Sequence, residues 1–413
     1  MRRGVAGVVA RGIEHDNVVA IWEPIMPVVP FTIAVPEAEL EDLAQRLRTV
    51  RWPSSFDADG WDDGASLAFM RRLADYWLNR FDWRAQERRL NRLPQFKTTI
   101  DDQEIHFVHR RGVGPAPLPI IVTHGWPGSF VEMERLISLL ADPGAHGGDP
   151  ADAFDVVVPS LPGYGFSPAP TRPGVSSREI AMLWQKLMLR LGYDRFGAQG
   201  GDIGAGVSTW LARLFPDSVH GIHLNFVPGS YRPPLGGDAP PITPDEQAYL
   251  DHVAAWSADE GAYAALHGTK PQTLAFSLTD SPIGLAAWVT EKFRSWSDCN
   301  GDLESVISLD DLLTDICLYW FGNDLNGSLR LYKENRRRPL VFAPAERIRP
   351  PLAVAVFPHE IAMPPRSWLD RVFHVQTYTP LPTGGHFAAL EKPELLAADV
   401  QAFFRCIRPP IIG

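Results

Sequence analysis

Phe196-Gly-Ala-Gln-Gly-Gly-Asp-Ile-Gly-Ala-Gly206 is a short apolar run, a sharp turn, and the start of a helix expected from about Ile203, with Asp202 at the apex. Gly200 and Gly204 stand two positions either side of Asp202, as a strained strand-to-helix elbow demands, because bulk beside the exposed side chain would collide with the turn. The apex residue is an aspartate where serine is commoner. A carboxylate attacks saturated carbon and leaves an alkyl ester on the protein, so the reading points to displacement, as in epoxide opening or dehalogenation, more than to acyl transfer. Glycine-rich strand-to-helix turns are common, and the rest of the chain has to supply the remainder of the case.

Working outward, apolar strands alternate with helical patterns. Before the elbow come two strands over 98–110 joined by Asp101-Asp102, a buried strand at 119–123, a helix over 131–140, a strand at 154–159 and a helix over 177–191. After it, the elbow helix runs to Phe215 and a strand follows at 219–226. This order predicts an α/β fold with an open, mostly parallel sheet covered by helices on both faces. Between Pro228 and about Pro350 only helical patterns occur (244–258, 263–266, 283–296, 310–320 and 328–335), which is the mark of a helical lid inserted into the sheet-forming pattern. Strands resume at 352–357 and 373–378, and a helix over 393–406 closes the domain. Helices over 37–50, 66–79 and 83–90, carrying Trp52, Trp61, Trp77 and Trp83, form a preface that must pack against something larger. The expected organisation is a disordered extension (1–29), a helical N-terminal domain (30–97), a first core part (98–227), the lid (228–350) and a second core part (351–413).

The 413 residues are 45% hydrophobic and 21% charged with a formal net charge of -10. That balance disfavours nucleic acid or an anionic membrane surface as partner. Cys299, Cys317 and Cys406 lie far apart, without zinc or redox spacing, which fits buried, reduced thiols and a cytoplasmic location. No metal site and no dinucleotide fingerprint are present, so neither metal nor cofactor is expected. Arg11, Glu14, Asp16 and Glu23, followed by Pro24, Pro27 and Pro30, break the apolar runs near the N-terminus well short of a spanning helix, so no membrane anchor is expected.

Ligands of open sheets bind at the carboxyl ends of the strands, where the turns after Thr123, Gly201, Phe357 and Tyr378 meet. An ester on Asp202 needs a base to activate water, and the base needs a partner to fix its tautomer. His386, in the glycine-flanked loop Thr383-Gly-Gly-His-Phe387 after the last strand, suits the base; eleven other histidines lack that placement. Glu360, just past the strand ending at Phe357, is the best placed partner. The order nucleophile, acid, histidine is the one the α/β-hydrolase fold uses. Donors to the ester's developing oxyanion would be the backbone N–H of Ile203 and of Trp126 in His124-Gly-Trp-Pro127, where the Trp126-Pro127 bond is a candidate for cis geometry.

The elbow, His124-Gly-Trp-Pro-Gly-Ser129, Pro159-Ser-Leu-Pro-Gly-Tyr-Gly-Phe-Ser167 and Gly384-Gly-His-Phe-Ala-Ala-Leu-Glu391 together resemble the epoxide hydrolases of the α/β-hydrolase superfamily, in particular the microsomal-type branch. The helical preface, from Pro30-Phe31 through Arg51-Trp52-Pro53, is similar to that branch's N-terminal domain. The resemblance implies that Phe357-Pro-His-Glu-Ile361 is the acid segment, and that two lid tyrosines, Tyr263 and Tyr332, hold the epoxide oxygen. On the sequence pattern alone Tyr249 and Tyr319 are equally good candidates. The implied activity is addition of water to a small-molecule epoxide to give a vicinal diol. A haloalkane dehalogenase shares the fold, nucleophile and base but needs no tyrosine pair; a non-catalytic ligand-binding member would not need an intact nucleophile, acid and base. Lid aromatics Trp256, Phe276, Trp288, Phe293 and Trp296 suit a bulky substrate or serve as lid core. Detoxification and natural-product biosynthesis both stay open, and the oligomeric state is not fixed, a homodimer being compatible.

Overall fold

Ile120-Ile121-Val122 and Val156-Val157-Val158 are completely buried, and runs of that kind belong to strands covered above and below. In the computed structural model, which describes residues 26–227, 231–237, 239–322 and 325–408, they lie in the middle of one nine-stranded sheet. The strands are β1 (Val29–Pro30), β2 (Gln95–Ile100), β3 (Gln103–Arg110), β4 (Leu118–Thr123), β5 (Phe154–Pro159), β6 (Phe196–Gly200), β7 (Val219–Leu224), β8 (Ile348–Val356) and β9 (Phe373–Pro380). Their order is β1-β2-β3-β5-β4-β6-β7-β8-β9. Pairing is antiparallel from β1 to β5 and parallel from there to β9. The sheet is therefore mostly parallel, as the alternation of elements implies.

The elbow strand β6 lies between β4 and β7, and the elbow helix Asp202–Leu214 starts one residue earlier than the sequence suggests. Helix Ser177–Arg190 is held at its head by a capping box between Ser176 and Glu179. Two features differ from expectation near the N-terminal edge. β2 begins at Gln95, not Thr98, because its polar residues find ladder partners in β3. Val29, assigned to the N-terminal extension on sequence, pairs with Lys97; residues 1–25 of that extension lie outside the described residues.

Between β7 and β8 run the lid helices Pro244–Asp259, Ala262–Thr269, Pro271–Asp280, Pro282–Trp296, Leu309–Phe321 and Leu325–Arg337. The three N-terminal helices, Glu37–Arg48, Leu67–Asn79 and Trp83–Leu90, find their larger partner there. Trp83 packs on Phe321 with ring centroids 5.1 Å apart, the Tyr76 hydroxyl donates to Asp310 at 2.9 Å, and Arg89 pairs with Asp311 at 2.8 Å. The lid is thus gripped from its far side by the N-terminal helices as well as seated on the sheet.

Candidate active site

Asp202 has φ 45°, in the left-handed region that costs a non-glycine residue conformational energy. The surroundings make that backbone compulsory. A Cβ on Gly204 would come within 1.9 Å of the Thr123 carbonyl oxygen, and one on Gly200 within 2.3 Å of the Gly204 backbone. Only glycines on both flanks let the elbow close tightly against the end of β4, which thrusts the Asp202 side chain up from the sheet.

The loop after β4 meets it there. Asp202 Oδ1 accepts from the Trp126 N–H at 2.8 Å, and the Trp126-Pro127 bond is cis. His124, at the base of the same loop, accepts from the Leu161 N–H at 3.2 Å and donates to the Gly125 carbonyl at 3.0 Å, tying together the two motifs quoted above. Burial holds its pKa down to about 4, in keeping with a neutral ring that donates from one nitrogen and accepts at the other. Ile203 sits next to Asp202 at the head of the elbow helix, but its N–H makes no hydrogen bond to the carboxylate; of the two expected oxyanion donors, Trp126 alone engages it.

His386 and Glu360 arrive on the loops after the adjacent strands β9 and β8. A parallel bridge pairs His359 with Gly385, and the His386 N–H is anchored on the Trp296 carbonyl at 2.9 Å. His386 Nδ1 lies 2.6 Å from Glu360 Oε1, and its Nε2 lies 3.6 Å from Asp202 Oδ2. The Glu360 side chain is wholly buried, and its Oε1 also accepts from the Ile361 N–H at 2.7 Å. Burial pulls the imidazole pKa down, but the two carboxylates outweigh it and hold the ring well above its ordinary value.

Above this group the lid contributes aromatic rings. Tyr263 stacks on Trp126 (5.2 Å, 11°) and meets Tyr332 edge to face at 5.8 Å. The Tyr332 hydroxyl is buried and interacts with that of Tyr263. Burial raises both phenols, with the Asp202 charge adding to it, so both remain protonated donors. Of the rival tyrosines, Tyr319 has its hydroxyl taken by the Gly128 carbonyl at 2.7 Å, while the Tyr249 ring packs near Trp368. Among the lid aromatics singled out from sequence, Trp256 lines the cavity, Trp296 packs edge-on against His386 at 5.2 Å, Phe293 stacks on Phe387, and Trp288 donates to His267; Phe276 is exposed.

Asp202, Tyr263 and Tyr332 open into a cavity of about 500 Å³ whose walls include Trp210, Phe226 and Tyr249. A second cavity of about 20 Å³ lies on the other side of Asp202 and His386, between Glu132, Gln199 and Asn225. Sequence reading missed its acid. Glu132 is buried, and burial together with the nearby Asp315 pushes its pKa well up; Asp315 is itself raised to about 7 by burial, against the pull of the Ser129 hydroxyl. Both acids sit at apolar-looking helical positions, where only the fold reveals a polar interior. Among the described residues no group of histidines, cysteines and carboxylates could hold a metal ion.

The chain is similar to known proteins over most of its length. Residues 28–133 match the epoxide hydrolase N terminus family and residues 119–227 the alpha/beta hydrolase fold family. A Stigmatella aurantiaca protein that bears the epoxide hydrolase name is 44% identical over 385 residues, covering 92% of this chain and 86% of its own. Epoxide hydrolase 1 of Oryctolagus cuniculus is 38% identical, with 91% and 88% covered. The solved structure of the Aspergillus niger epoxide hydrolase superposes with a TM-score of 0.80 at 31% identity, covering 92% of this chain and 97% of that one. With the elbow, the loops and the lid all in place over nearly the whole length, the chain belongs to the epoxide hydrolases of the α/β-hydrolase fold.

Proposed function

We propose that the chain hydrolyses small-molecule epoxides to vicinal diols through an ester on Asp202. The observation that carries this reading is the disposition of the Asp202 carboxylate. One oxygen is held by the Trp126 N–H while the other faces His386, and the tyrosine pair lines the same cavity. Asp202 attacks an oxirane carbon, the C–O bond breaks, and the alkoxide takes a proton from the Tyr263 and Tyr332 hydroxyls, which are stronger partners for an oxyanion than for the neutral ether. In the second step His386, oriented by Glu360, removes a proton from water. The hydroxide adds to the ester carbonyl, whose oxyanion sits at the Trp126 N–H, with Ile203 supplying the second donor once that charge develops. Collapse expels the diol oxygen, which takes the proton of the carboxylic acid so formed and restores the carboxylate, and the imidazolium returns its proton to the tyrosinate. The cavity of about 20 Å³ beside His386 is of a size for one water. The tyrosine pair favours an epoxide over a haloalkane, because a halide leaving group has no use for two phenol donors.

The lid, the N-terminal helices that brace it and the two core parts act as one catalytic unit in this proposal, without cofactor. The three free cysteines support a reducing, cytoplasmic location, and no helix among the described residues is long and apolar enough to cross a membrane.

Single turnover in heavy-oxygen water tests the mechanism. The first diol should carry an unlabelled oxygen from Asp202, while the label enters the carboxylate. A labelled diol in that first turnover would make Asp202 a general base and water the direct nucleophile.

A further inference from the structure

The solvent end of the 500 Å³ cavity is lined by Arg232, Arg336 and Arg338, all exposed, while Asp202 is the sole carboxylate among the described residues of its wall. In a chain of net charge -10 this is a local reversal of sign. The three arginines are not equivalent. Arg338 pairs with Glu179, and Arg232 donates to the Tyr231 carbonyl at 2.8 Å. Among the described residues Arg336 is in no ion pair, and its aliphatic stem lies over Gly268, where a Cβ would come within 3.3 Å of its Cδ. Cations are common in the last turn of a helix, where they favour the dipole. Arg337, in the same turn, instead pairs with Glu334 on its own helix. Arg336 faces the cavity.

Its register is informative. Arg336 follows Tyr332 by four residues on helix Leu325–Arg337, so the two share a face and are offset by about 6 Å along the axis. A substrate whose epoxide oxygen rests on Tyr332 would share the cavity with the apolar walls of Trp256, Val253 and Tyr249 and with the Arg336 guanidinium. We propose that the cavity takes an epoxide with an apolar body and a carboxylate at the distal end, held by Arg336 within the positive field of Arg232 and Arg338. The planar guanidinium fork matches a carboxylate, and the Arg336 guanidinium, outside any ion pair among the described residues, matches a single negative charge. The inference rests on the epoxide-opening reading and names the substrate class for that same site.

The test compares 9,10-epoxydecanoate with its methyl ester, which differ at the distal end alone, with styrene oxide as reference. In the wild-type enzyme at low salt the acid should exceed the ester in kcat/KM by about three- to fivefold, the scale of a partly exposed ion pair. The advantage should lie in KM and shrink as salt rises, because the contact is made equally in ground and transition states. In Arg336→Gln the acid-to-ester ratio should fall towards one. Each enzyme is compared with itself, so partial unfolding scales both substrates and leaves the ratio intact. A wild-type ratio of one or less, a ratio unaltered in Arg336→Gln, or turnover of styrene oxide with neither decanoate overturns the inference and leaves epoxide opening standing. If no epoxide yields a diol, styrene oxide included, the underlying reading fails and takes this one with it.

Discussion

Asp202, His386, Glu360 and Trp126 stand on loops at the carboxyl ends of neighbouring strands, whereas Tyr263 and Tyr332 stand on two lid helices that face them across the cavity. On the sheet side, backbone register places the groups: β4, β6, β8 and β9 are locked by ladder bonds, and the His359-Gly385 bridge extends that lock to Glu360 and His386. On the lid side, position depends on packing. Tyr263 is set by stacking on Trp126, and the lid behind it by the N-terminal helices. The sheet wall should therefore govern ester hydrolysis, and the lid wall ester formation.

His386→Ala should divide the two half-reactions most sharply. Turnover should fall by about 10⁴-fold, the upper range for loss of a general base, while alkylation survives in part. Intact-protein mass spectrometry after mixing with substrate should find the enzyme heavier by the mass of the epoxide, on the peptide around Gly200 to Gly204. An unmodified protein would mean that the two walls are not separable in this way.

On the opposite wall, the double variant Tyr263→Phe with Tyr332→Phe should slow alkylation by about 10³-fold, since each donor to a developing oxyanion is worth roughly ten- to a thousandfold and the pair can share the load. Burst-phase kinetics measure that step. Wild-type alkylation in the double variant would remove the tyrosines from the chemistry.

Glu360→Gln is expected to cut ester hydrolysis by about 10²-fold and ester formation much less, because the imidazole loses the anion that fixes its tautomer and its charge. Equal effects on both steps in rapid-quench experiments would give Glu360 a merely structural part. Smallest of all, Tyr76→Phe should cost about 0.5–1.5 kcal/mol of stability through loss of its bond to Asp310. Thermal unfolding would register this, and a variant as stable as wild type would show that the N-terminal helices grip the lid by apolar contacts instead.

The same contrast explains what the sequence made legible. Glycine spacing around Asp202 is a steric requirement visible in one dimension, and loops following apolar strands place His386 and Glu360 before any contact is known. The tyrosines could be picked out only through resemblance, because Tyr249, Tyr263, Tyr319 and Tyr332 occupy similar helical patterns. Tyr319 is set apart by its hydroxyl bond to Gly128, and Tyr263 and Tyr332 by meeting each other and Trp126, properties of the tertiary fold. Helix Pro271–Asp280 escaped for a related reason: Ala275 and Leu278 are buried but Phe276 between them is exposed, which blurs the apolar stripe. β1 is two residues long, too short for any periodicity.

The contact between His386 and Asp202 would also set the order of events in the proposed mechanism. Before reaction, the Glu360 and Asp202 carboxylates both raise the affinity of the imidazole for a proton. Alkylation would turn one of those anions into a neutral ester, and with it would go part of the field that favours the proton. Consuming the nucleophile would thus ready the base for the second step.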